Sequence, residues 1–175
     1  VTGITSSGLV PQATIGTSDY FRTESYMPSF IPQPLPYEGN GCVGGYICPD
    51  YAEYIGGCLT EPLLAGATYN LRISVAQARA DNFALVDTVT NDLPPVELTV
   101  WGMENCPGWP VSTSLCPYDL GWYPIGTVLY TPDIQWSEVL VPLTPFVDVN
   151  AIMIGGPCEP VGYPSVAETY IAYEL

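Results

Sequence analysis

The sequence contains no histidine and no lysine, and three arginines stand against eighteen acidic residues. Without histidine there is no Ser–His–Asp or Cys–His catalysis, no imidazole metal ligand and no histidine-based pH switch. Without lysine there is no Schiff-base chemistry and no P-loop cation. The net charge of −15 disfavours nucleic acid and anionic lipid, because both are bound mainly through cationic side chains. No run approaches the ~20 apolar residues of a membrane-spanning helix, so no membrane insertion is expected. The first residues include no start methionine, basic n-region or apolar h-region, so the chain reads as a mature product whose signal peptide has been removed. Gly-x-y periods and short repeats are absent too, which excludes collagen and solenoid architectures.

Six cysteines are present, in an acidic chain free of lysine. They read as a disulfide framework, and hence as an extracellular or cell-surface protein. No Cys-x-x-Cys pair occurs among Cys42, Cys48, Cys58, Cys106, Cys116 and Cys158, which disfavours zinc. Nineteen prolines and seventeen glycines are spread along the chain, enough to interrupt any long helix. Between them lie short runs rich in Val, Ile, Thr and Tyr. Strands are expected at 41–48, 52–61, 68–78, 95–103, 122–131, 134–143, 148–155 and 166–174, with a weak one near 1–10. Alternation places Tyr69, Leu71, Ile73 and Val75 on one face, and Val96, Leu98 and Val100 on another. A helical turn is expected only within 76–92, and the Pro-rich stretch 27–40 reads as a surface loop. The expected fold is all-β: an antiparallel two-sheet β-sandwich, jelly-roll-like and stapled by disulfides. Residues 1–175 suit a single domain, with 1–17 as an N-terminal strand or extension.

The chain also resembles a known family. The string from Tyr54 to Leu71 is similar to the "EYI..LT.PL.AG.TY.L" stretch of a Bacteroidota secreted, cell-surface β-sandwich domain family. Further pieces follow in the family's order: Ser18 to Phe21, Trp101-Gly102 with Asn105-Cys106 and Cys116-Pro117, then Ala151 to Gly155. The family's usual closing Tyr-x-x-Asp-Asp-x-x-Leu is replaced here by Tyr170-Ile171-Ala172-Tyr173-Glu174-Leu175. The resemblance implies a galactose-binding-like or carbohydrate-binding-module-like sandwich, non-catalytic and associated with type IX secretion. No sorting domain follows Leu175, so cleavage or a different attachment is expected.

Spacing does not select one connectivity for six cysteines. Cys106 and Cys116 flank a Pro-rich loop, and the resemblance also groups them. A bridge there would contribute about 2–3 kcal/mol in the chain-entropy model. A hairpin turning at Pro49-Asp50-Tyr51 would set Cys42 opposite Cys58 and leave Cys48 for Cys158.

Thirteen tyrosines and four tryptophans supply rings on which a sugar or a protein can pack. Trp109, Tyr118, Trp122 and Tyr123 lie in or beside the Cys106–Cys116 loop and form the candidate contact platform; Trp101 and Trp136 read as strand packing. Glycoside hydrolysis needs two carboxylates and no histidine, but no carboxylate is marked out by an apolar setting, so no enzyme is expected. Asp81, Asp87 and Asp92 carry oxygen suited to calcium but lack EF-hand order; otherwise no cofactor is expected.

Two functional readings follow. Only 12% of residues are charged and 47% are apolar, which suits close packing against neighbours. The favoured reading is therefore a non-catalytic surface protein, structural or adhesive, working by self-association or by contact with other surface proteins. In it Val1, Ile4, Leu9 and Val10 lend a strand to a neighbour's sheet edge, as in a filament or surface layer. The alternative is a carbohydrate-binding module that offers aromatic rings to a glycan.

Overall fold

The computed structural model describes residues 12–13, 19–22, 41–48, 51–77, 95–108, 116–133, 135–158 and 169–174. Their strands are β1 (Gln12–Ala13), β2 (Asp19–Arg22), β3 (Gly41–Cys48), β4 (Tyr51–Ala52), β5 (Ile55–Leu63), β6 (Tyr69–Gln77), β7 (Val96–Met103), β8 (Tyr123–Tyr130), β9 (Ser137–Leu143), β10 (Val149–Gly155) and β11 (Thr169–Glu174). One sheet runs β1-β5-β10-β7-β8. The other runs β2-β3-β11-β6-β9, with β4 on β3. Every pairing is antiparallel.

The main core lies between the two sheets. Leu71, Ile73 and Val75 of β6 meet Val96, Leu98 and Val100 of β7, with Val141, Leu143, Val149, Ile152 and Ile154 around them. Each such side chain, fully buried, contributes roughly 1.5–3 kcal/mol of apolar transfer. The alternation in β6 and β7 thus marks the inward face, as the pattern of the sequence implies. At one edge the sheets nearly touch. The Thr144 amide donates to the Ile125 carbonyl at 2.8 Å, and any Cβ at Gly126 would strike the Pro142 carbonyl.

The predicted strands at 41–48, 68–78, 95–103, 122–131, 134–143, 148–155 and 166–174 all appear, each within three residues at either end. The run 52–61 divides differently. Only Tyr51 and Ala52 return along β3; the chain then passes through Glu53 and Tyr54, both buried, and enters the other sheet as β5. The expected 41–48/52–59 hairpin is therefore cut short, because Ile55 is needed in the core from the opposite sheet. Cys42 and Cys58 consequently stand in different sheets. The weak strand near 1–10, the loop 27–40 and nearly all of the turn expected within 76–92 lie outside the described residues; Ala76 and Gln77 belong to β6. Among the described residues no helix is long and apolar enough to cross a membrane.

Candidate functional site

Strand β10 has almost no polar residue, and it needs none, because both of its faces are covered. Ile152 and Ile154 enter the main core, while Ala151 and Met153 point the other way. On that outer side Met153 pairs with Trp101 of β7, and Tyr54 and Trp122 close over them as a second small core. Residues 116–122 of the β7–β8 connection supply part of this cover. It ends in a 3-10 turn, Pro117–Leu120, stopped by Gly121 at φ 81°, a left-handed conformation that glycine adopts without a Cβ clash.

Two disulfides clamp the cover. Cys58–Cys106 ties it to β5, with Cα atoms 5.4 Å apart, and Cys116–Cys158 ties it to the segment after β10, at 4.8 Å. Both differ from the pairs expected from the Pro-rich loop, the resemblance and the hairpin. Cys106 is not joined to Cys116, nor Cys42 to Cys58, nor Cys48 to Cys158. The reason is geometric. Cys58 and Met103 flank Ala151 on neighbouring strands, so Cys106 reaches Cys58 across a small residue on the outer face. Cys42 is buried in β3, in the other sheet.

This cover decides the fate of the ring platform. Trp122 is 1% exposed and belongs to the second core, so it cannot meet a ligand. Trp101 is likewise buried rather than half-buried. Tyr118 remains exposed, its ring edge-on to Trp101 at 5.5 Å. Trp136 sits half-buried just before β9. Trp109, the assembly candidates Val1, Ile4, Leu9 and Val10, and the calcium candidates Asp81, Asp87 and Asp92 lie outside the described residues. Among the described residues no group of three metal-ligating side chains forms.

Tyr123 opens onto a different feature, one that reading the sequence missed. It starts β8 at the end of the sandwich where the β5–β6, β7–β8 and β9–β10 connections converge. Phe146, from the β9–β10 connection, lies on its ring at 4.3 Å with the planes tilted by 43°. Phe146 itself is 68% exposed, and Leu64, on the neighbouring β5–β6 connection, is 54% exposed. Hydrogen bonds hold these loops. Gly66 N–H donates to the Pro145 carbonyl at 2.8 Å, and Ala65 N–H to Asp148 Oδ1 at 2.8 Å. Leu64 N–H donates to the Tyr69 hydroxyl at 2.8 Å, and Asn150 Nδ2 to the Glu104 carbonyl at 2.7 Å. The Tyr123 hydroxyl is enclosed and has no hydrogen-bond partner among the described residues. Burial, then the carboxylates of Glu104 and Asp148, raise its pKa above the ordinary phenol value. Phe146 carried no motif in the sequence; only its place between Pro145 and the start of β10 could have suggested a loop-borne ring.

No protein-family model and no curated protein matches the chain. Among solved structures, it is similar to a CBM4 domain (TM-score 0.43, 10% identity, covering 77% of this chain and 80% of that one). It is similar also to the K1 cleaved adhesin domain of Lys-gingipain from Porphyromonas gingivalis (0.41, 14% identity, 99% and 90%). A third is the C-terminal family 22 carbohydrate binding module of a Clostridium thermocellum protein (0.39, 9% identity, 97% and 94%). Likenesses this distant transfer neither a ligand nor a role.

Proposed function

We propose that this chain is a non-catalytic extracellular surface protein, structural or adhesive, that acts by protein–protein contact through the Phe146 end of a single domain. The observation that carries this reading is the exposure of Phe146 and Leu64 on loops already fixed by hydrogen bonds. Large apolar side chains held rigidly in water lose little entropy when a partner covers them. The two bridges support an oxidising compartment. Glu104 and Asp148 stand exposed at this end rather than enclosed by an apolar wall, which supports binding over acid–base chemistry.

A second reading, glycan binding, draws on the same exposed Phe146 ring, since a sugar can stack on such a face. Photo-cross-linking separates the two. With a photoreactive phenylalanine at position 146, protein adducts should form on the surface of the cell that makes the chain. The same group at Leu140, exposed on β9, should give none. Absence of adducts at 146, together with retardation of the protein in polysaccharide-containing native gels, would favour the glycan.

A further inference from the structure

We propose that the Phe146–Tyr123 ring pair, with Glu104 and Asp148 beside it, receives a Lys or Arg side chain from a basic partner protein. This rests on the protein-contact reading above and names the chemistry of its partner. An aromatic face carries negative electrostatic potential and attracts cations, most strongly where other charges reinforce it. Here the reinforcement is present. Glu104 and Asp148 are exposed, and both act electrostatically on the Tyr123 hydroxyl. The arginine whose side chain the structure describes, Arg72, does not answer them. Arg72 lies midway along β6, on the outer side of the other sheet, and reaches Glu138 at 3.5 Å.

The site is also preorganised. Asp148 is held by the Ala65 amide, the Glu104 backbone by Asn150, and the Phe146 ring by Tyr123. A ligand therefore meets fixed groups and spends little free energy ordering them. The net charge of −15 adds long-range attraction for a basic protein, and three arginines make a second copy of this chain a poor source of cations. A neutral sugar uses the ring and can donate hydroxyls to the carboxylates, but it leaves their charge unanswered.

The test is a titration of the full chain with acetylated tetra-arginine amide, followed through the ring proton resonances of Phe146 and Tyr123. Both should shift saturably. F146A and F146L keep the net charge, and each should weaken binding about threefold or more. E104Q combined with D148N should weaken it by a similar or larger factor. E97Q combined with D133N removes two charges at the opposite end and should change it less than twofold. Unchanged binding by both Phe146 variants, or an equal loss in the Glu97/Asp133 control, would show diffuse attraction and overturn the proposal. Ring shifts with xylohexaose but not with tetra-arginine would overturn it in favour of a glycan. Photo-adducts at position 146 without tetra-arginine shifts would remove this inference and leave the contact reading standing.

Discussion

On the outer side of the five-stranded sheet, Trp101, Ala151 and Met153 are covered by Tyr54 and Trp122. On the outer side of β6 and β9, Arg72, Glu138, Leu140 and Pro142 stand in solvent. The strands differ accordingly. Asn70, Arg72, Glu138 and Leu140 alternate with buried or half-buried neighbours, whereas β10 is apolar through Ala151, Ile152, Met153 and Ile154. A strand covered on one side can alternate; a strand covered on both cannot. The cover is tied down covalently. Two disulfides join it to β5 and to the segment after β10.

The largest way to break this contrast is to release the cover. Replacing both bridges by serine, C58S/C106S with C116S/C158S, reopens loops of 48 and 42 residues. Each bridge is worth about 4 kcal/mol in the chain-entropy model. Together they reach the scale of a whole domain's stability, roughly 5–15 kcal/mol. Denaturant unfolding should show that loss, and dye binding should report exposed apolar surface.

A narrower test compares one residue from each side. Trp122→Ala empties the second core and should cost about 3–5 kcal/mol. Leu140→Ala, on the open side, should change stability by no more than about 0.5 kcal/mol. Equal effects in urea unfolding would mean that the outer side of the five-stranded sheet is not a core.

The smallest effect is a pH dependence to which the covered side contributes through Tyr54. Burial pushes the Tyr54 phenol up to about 12. A raised folded-state pKa stabilises fully below the unfolded value, near 10, and the contribution is lost as pH rises toward the folded one. Between about pH 10 and 12 stability should therefore fall by up to ~1.4 kcal/mol per pH unit from this group. Tyr54→Phe should flatten that part of the slope, as measured by denaturation midpoints at about pH 9 and pH 11.

Much of the fold could be read locally. The inward residues of β6 and β7 follow from alternation, because a pleated strand sends successive side chains to opposite faces. The candidate site was barely readable. Of the expected ring platform, Tyr118 stands against Trp101, Tyr123 meets Phe146, and Trp122, one residue from Tyr123, is core. Neighbours in a strand face opposite ways, and composition does not say which face is wet.

What the sequence determined by itself was most of the longer strands (β3 and β6 to β11), the all-β class, the exclusion of histidine and lysine chemistry, and the use of cysteines as staples. These depend on residue type and short-range period. Only the tertiary structure decided that the chain changes sheets at Glu53–Tyr54, that Cys58 joins Cys106 and Cys116 joins Cys158, and that Phe146 meets Tyr123. Each of these pairs residues more than twenty positions apart or sets a strand's partner. Such choices are made by packing β5, β7 and β10 into one sheet, and no local pattern along the chain encodes the distance between them.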